Sequence, residues 1–170
     1  MQSDIYTIIS GTNRPGSNTI RVARQYENIL KAKGIEPKFI TLENLDVISR
    51  SEALVKLEKE VLIPTTKFIF VTPEYNGSFP GVLKAMMDNT TIEKVWWGKK
   101  ALLTGVSTGR AGNLRGMEHL TGVLHYLKMH VYHNKLPISV VNKLFNTEYN
   151  IEDPATLRAI NDQLDEFIKF

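Results

Sequence analysis

Short apolar, often β-branched runs alternate with stretches of helical period along the whole chain, and this alternation restricts the fold more than any other feature. Ile5 to Ser10 reads as a first strand, and Asn18 to Lys33 as a helix that carries Ile20, Ala23, Tyr26 and Leu30 on one face before Gly34 stops it. Pro37 to Leu42 gives a second strand, and Ser51 to Val61 a helix with Leu54, Leu57 and Val61 inward. Phe68-Ile69-Phe70-Val71 has no polar alternation, as expected of a central parallel strand buried on both faces. A third helix begins near Pro80, and Ala101 to Val106 forms a fourth strand in which Gly105 marks a close backbone approach. A helix through Leu114, Met117, Leu120, Leu124 and Leu127 leads to a short fifth strand near Val131 and an extended stretch at Ile138 to Val141. The last helix starts at Pro154 with Asp153 as its cap and shows Leu157, Ile160, Leu164, Phe167 and Ile168 on one stripe. Five strands and five helices in βαβ order make a three-layer α/β domain. With no linker, repeat or low-complexity segment, residues 1–170 read as one domain.

Composition narrows the chemistry. The chain lacks cysteine, which excludes thiolate nucleophiles, dithiol redox motifs and cysteine-held metals, so any redox chemistry must ride on a bound cofactor. A net charge of +3 is spread along the chain, which suits an anionic small ligand better than DNA. The N-terminus has no basic, apolar leader and no segment approaches a membrane span, so a cytoplasmic location is expected. The four histidines fall on different faces of their elements, and no metal site is expected.

In an open parallel sheet the ligand crevice lies beyond the carboxyl ends of the strands. Three unusual loops sit there. The first, Ser10-Gly11-Thr12-Asn13-Arg14-Pro15-Gly16-Ser17-Asn18-Thr19, combines glycines, hydroxyls and one arginine directly before a helix, the composition of a phosphate cradle. It is not a nucleotide P-loop, because Ser17-Asn18 stands where a lysine and a hydroxyl residue are needed, and the dinucleotide pattern Gly-x-Gly-x-x-Gly is missing. The second, Thr72-Pro73-Glu74-Tyr75-Asn76-Gly77-Ser78-Phe79-Pro80-Gly81, offers a rigid backbone and an aromatic surface for a flat heteroaromatic ring. The third, Ser107-Thr108-Gly109-Arg110-Ala111-Gly112-Asn113, again places glycines and hydroxyls between strand and helix. Each loop alone is also compatible with an ordinary turn. Gly105-Val106-Ser107-Thr108-Gly109 spells a nucleophile elbow by letters, but no Asp and His partners follow in hydrolase order. Trp96-Trp97 reads either as a core edge or as a cap for a neighbouring subunit's ligand.

The segments GTNRPGSNT, PEYNGSFPGVLKAMMDN and STGRAGN, in this order and in these places, resemble the NADPH-dependent FMN reductase family of flavodoxin-like proteins. The resemblance extends from about Ile5 to Tyr132 and is most specific at Pro-Glu-Tyr-Asn-Gly. It implies a five-stranded parallel sheet in the order 2-1-3-4-5 with helices on both faces. It also implies that Thr12, Arg14, Ser17, Asn18 and Thr19 surround the FMN phosphate, that Pro73, Glu74, Tyr75, Asn76 and Gly77 line the isoalloxazine ring, and that Ser107, Gly109 and Gly112 complete the ring edge. Arg110 and Asn113 replace the small residue and the second glycine often found in the third loop, and the longer Arg110 either clasps an NADPH phosphate or obstructs nicotinamide stacking. The activity implied is transfer of reducing equivalents from NADPH or NADH through FMN to a quinone, azo compound, chromate or free flavin, by a homodimer or homotetramer and with no side chain required as acid or base. The alternative is a flavodoxin-like electron carrier or sensor that binds FMN without oxidising NAD(P)H. A pI near 9.0 weighs against the acidic docking face of a carrier.

Overall fold

The computed structural model describes residues 3–170. Strands β1 (Tyr6–Ser10), β2 (Lys38–Thr41), β3 (Lys67–Pro73), β4 (Lys100–Val106), β5 (His130–Val131) and β6 (Leu136–Ile138) form one parallel sheet in the order β2-β1-β3-β4-β5, with β6 also paired to β4. The expected strand order and single sheet are present, with one strand more than the five expected. β5 pairs only the start of β4, Lys100 with His130 and Ala101 with Val131. The chain then leaves the edge and returns to pair Thr104 with Leu136 and Val106 with Ile138. The weak apolar signals near Val131 and Ile138 thus belong to two short strands that share one edge of a long neighbour.

The alternation of side chains along the strands divides the core into two halves. Ile8, Ile69, Val71 and Leu102 pack against α1 (Asn18–Ala32) and α6 (Pro154–Lys169). Ile9, Phe68, Phe70 and Leu103 face α2 (Glu52–Leu57), α3 (Gly81–Asp88), α4 (Ile92–Val95) and α5 (Leu114–Tyr126). All seven residues of β3 are buried, as its unbroken apolar run requires. Trp96 is fully buried and lies 5.2 Å from Phe68 and 6.3 Å from Phe70 between ring centroids, while its indole N–H donates to Thr90 Oγ1 at 3.0 Å. It is a core residue; Trp97 is 41% exposed.

The helix boundaries follow their capping residues. Ser17 caps α1 and Asp153 caps α6 ahead of Pro154, and Gly34 takes φ +79 just past α1. The inward faces differ in detail from a simple count. In α1 Val22, Ala23, Tyr26, Ile29 and Leu30 are buried, whereas Ile20 is only partly so. After α2 the chain widens into a π turn at Glu58–Leu62, closed by Ile63 N–H on Glu58 O at 2.9 Å. The wider turn shifts the inward face, so Glu58 and Leu62 are buried and Val61 is only half-buried. Arg50 grips the Glu58 carboxylate through both guanidinium branches, at 2.9 and 3.0 Å, and Thr91 adds bonds from its amide and hydroxyl.

Candidate functional site

The strand order reverses between β1 and β3, so the crevice of this architecture opens at their carboxyl ends. There the β1–α1 loop is shaped by close packing. Gly11 N–H donates to Val71 O at 2.8 Å, and a Cβ at Gly11 would meet Leu83 at 3.0 Å and Thr72 at 3.3 Å. Thr12 is buried; its hydroxyl shares a 2.7 Å hydrogen bond with Tyr75 Oη and accepts from Arg14 N–H at 3.3 Å. Gly16 at φ +62 turns the chain into Ser17, whose Oγ accepts Ile20 N–H at 3.2 Å. This cap engages Ile20 and leaves the amides of Asn18 and Thr19 without an intrahelical acceptor. The first turn of α1 carries no acidic residue, so the positive end of its dipole faces the cleft uncompensated.

The segment after β3 reaches back to the same place. Tyr75 and Ser78 exchange two backbone hydrogen bonds, at 2.8 and 3.1 Å, around Asn76 (φ 52) and Gly77 (φ 79), the conformations of a tight Asn-Gly turn. This turn fixes Tyr75, whose ring lies 4.9 Å from the Arg14 guanidinium carbon. Arg14 is in none of the ion pairs found among the described residues. Glu74 N–H is occupied by Val106 O at 3.3 Å, and Tyr75 N–H by the turn. Asn76 and Gly77 themselves stand outside the cleft lining.

The third loop folds back upon itself and upon the chain after β6. Ser107 Oγ donates to Gly109 O at 3.0 Å and accepts Gly112 N–H at 3.1 Å. Ser107 N–H bonds Ile138 O, Val141 N–H bonds Ser107 O, and Val140 N–H bonds Gly109 O. Gly105 beneath this loop is required, since a Cβ there would stand 2.1 Å from Gly112 O, the close approach expected from its position in the strand. Asn113 is fully buried at φ 65, starts α5 and donates to Thr72 O at 2.9 Å, tying the third loop to the end of β3. These internal bonds leave Gly109, Arg110 and Gly112 outside the lining, with Arg110 exposed.

The resulting cleft of about 510 Å³, including its open mouth, is lined by Arg14, Ser17, Asn18 and Thr19 on one side. Pro73, Glu74 and Tyr75 form a second wall, and Val106, Ser107, Thr108 and Val141 the third. The structure therefore brings together eight of the fourteen residues singled out in the sequence, and Thr12 braces them from beneath through Tyr75. Val106, Thr108 and Val141 were not singled out. The first two adjoin Ser107, but Val141 reaches the cleft only because β6 delivers it, and its own sequence carries no such signal.

The residues present fit FMN. Two open helix amides, the Ser17 and Thr19 hydroxyls and a guanidinium without a carboxylate partner form a donor-rich, acid-free end suited to a phosphate. Pro73, Tyr75, Val106 and Val141 add apolar lining to the same cleft, suited to a flat ring. No helix among the described residues is long and apolar enough to cross a membrane.

Known proteins resemble this chain in sequence and in fold. A NAD(P)H-dependent FMN reductase of Pseudomonas aeruginosa is 31% identical over 173 aligned positions, covering 96% of this chain and 94% of that protein. A 2-hydroxy-1,4-benzoquinone reductase of a Burkholderia species is 34% identical over 91 positions, about half of each chain, 52% and 50%. Among solved structures, a flavoenzyme NAD(P)H:(acceptor) oxidoreductase from Paracoccus denitrificans shares the fold with a TM-score of 0.78 at 19% identity, over 98% of this chain and 96% of that one. The family model described as NADPH-dependent FMN reductase matches residues 6–143, and the chain belongs to that family of flavodoxin-like oxidoreductases.

Proposed function

We propose that this chain is an FMN-dependent NAD(P)H oxidoreductase that passes reducing equivalents to a small acceptor of the quinone class. The observation that carries the reading is the convergence of the acid-free N-terminus of α1, Arg14 and the Tyr75 wall on one open cleft. Bound FMN supplies the two-electron chemistry, taking reducing equivalents from a nicotinamide and delivering them to the acceptor. The protein's part is to bind and orient. The Asn18 and Thr19 amides, the Ser17 and Thr19 hydroxyls and Arg14 hold the phosphate end. The wall of Pro73, Glu74 and Tyr75 and the facing Ser107 and Thr108 hold the ring end. The nicotinamide and the acceptor would enter in turn through the open mouth, where the protein holds the ring in position to meet them. The quinone class is supported by the Burkholderia relative's named substrate. Arg110, exposed in the third loop and outside the cleft lining, is proposed to meet the nucleotide's phosphates rather than FMN. The homodimer or homotetramer implied by the resemblance belongs to the same proposal and is read by light scattering.

The test is anaerobic addition of NADPH to FMN-loaded protein, with NADH in parallel, followed by a quinone. Rapid loss of the visible flavin absorbance and its return with the quinone are expected. A bound flavin that stays oxidised with both nucleotides would favour the electron carrier, and failure to retain FMN would remove both.

A further inference from the structure

Arg21 is placed where electrostatics disfavours it. It lies on α1 only three residues after Asn18, close to the positive end of the helix dipole, and forms no ion pair with a carboxylate among the described residues. Arg24, one turn further on, shows the ordinary solution by pairing with Glu27 at 2.6 Å. Arg21 is held instead by aromatic faces. Its guanidinium carbon lies 3.6 Å from the Tyr149 ring centroid and 5.9 Å from that of Phe145, and its Nη1 donates to Asn18 Oδ1 at 3.0 Å. The two rings belong to a turn beyond the sheet, organised by the Asn146 side chain, which accepts the amides of Glu148 and Asn150, and by the bridge between Phe145 and Ile151.

The bond to Asn18 has a directional consequence. A guanidinium has donors and no acceptor, so the end of the Asn18 amide that faces Arg21 must be its oxygen. The NH₂ end is thereby turned away from Arg21, and Asn18 lines the cleft. An asparagine left to itself could present either end to a bound anion. We propose that Arg21, clamped by Tyr149 and Phe145, is a positioning residue that fixes Asn18 as a hydrogen-bond donor to the phosphate of the flavin. The turn at 145–151 thus acts on a phosphate site to which it contributes no lining residue. The assignment rests on the phosphate reading given under Proposed function, and it deepens that reading by naming what sets the donor polarity of the cradle.

The test is the affinity of the apo-protein for FMN and for riboflavin, which lacks the phosphate, measured by flavin fluorescence for wild type, Arg21→Met, Asn18→Ala and the double variant. Loss of a hydrogen bond to a charged group predicts about tenfold weaker FMN binding in Arg21→Met, with riboflavin binding and apo-protein thermal unfolding unchanged. The double variant is expected to bind FMN no more weakly than Asn18→Ala, because Arg21 acts through Asn18. Arg21→Lys, which keeps a donor, is expected to recover part of the loss. Equal weakening of both flavins, unchanged FMN affinity in Arg21→Met, or additive losses in the double variant would each overturn the assignment. A wild type that binds riboflavin as tightly as FMN would overturn the phosphate reading and this assignment with it, so the failures are told apart by the wild-type data alone.

Discussion

The two ends of the sheet use their cations in opposite ways. At the amino ends of β3 and β4, three lysines are fully committed. Lys67 is buried and donates to Phe167 O and Ile168 O at 3.2 and 2.8 Å, with Asp4 at 2.9 Å. Its register neighbour Lys100 donates to Phe170 O, and Lys99 donates to Ile63 O and Thr65 O. The effect is to close the carbonyl end of α6 and the end of the π turn, where the helix dipole favours positive charge. At the carboxyl ends of β1 and β4, Arg14 and Arg110 meet no carboxylate among the described residues. One end has its charges satisfied from within and contributes to stability; the other leaves Arg14 and Arg110 without a carboxylate partner among the described residues.

The contrast can be broken most severely at Gly105, which underlies the cleft end. Gly105→Ala drives a Cβ into Gly112 O and is expected to cost about 3 kcal/mol of stability, the upper end of overpacking effects, and to lower FMN affinity with it. Urea unfolding and flavin titration would read both, and a variant that is destabilised yet binds FMN normally would show the third loop to be dispensable. The two ends should then separate cleanly. Arg14→Ala is expected to weaken FMN binding by about 1.5 to 3 kcal/mol while leaving apo-protein unfolding unchanged, and equal affinity would remove Arg14 from the phosphate site. Lys67→Met should do the reverse, lowering stability by about 1 to 2 kcal/mol through the carbonyls it leaves unpartnered, with the FMN dissociation constant unaltered.

The smallest effect sharpens the stable side. Burial opposes ionisation of Glu58, but the hydrogen bonds from Arg50 and Thr91 outweigh it and hold the carboxyl below its ordinary value of 4.5. A carboxyl depressed in the folded state stabilises fully above its unfolded pKa and loses that contribution as pH falls through the folded one. Stability should therefore decline on acidification below about pH 4.5, and Arg50→Met should make that acid limb shallower in thermal unfolding. An unchanged slope would assign acid sensitivity to other carboxylates, such as Asp4 beside Lys67.

The fold was largely legible because its signals are local. Ser17, Gly34, Asp153 and Pro154 act on neighbouring backbone, and the run at Phe68 to Val71 reports burial on both faces without reference to the rest of the chain. The π turn at Glu58 was not legible, since its apolar spacing imitates an ordinary helix until the extra residue shifts the face. In the site, the β1 loop and Pro73-Glu74-Tyr75 could be read because glycine, proline and hydroxyl residues at strand ends restrict local geometry. The third loop was read only in part, because the Ser107 hydroxyl closes it internally and β6 draws it away.

The sequence by itself determined the alternating elements, the two faces of each strand and which loops gather at one end of the sheet, because period, capping and parallel topology are short-range or topological constraints. Only the tertiary structure decided that Tyr75 meets Thr12 and Arg14, that Val141 enters the cleft, and that Arg21 lies over the rings of Tyr149 and Phe145. Such contacts join residues 60 or more positions apart in most of these cases, and no local preference encodes a distance that packing of the whole chain alone sets.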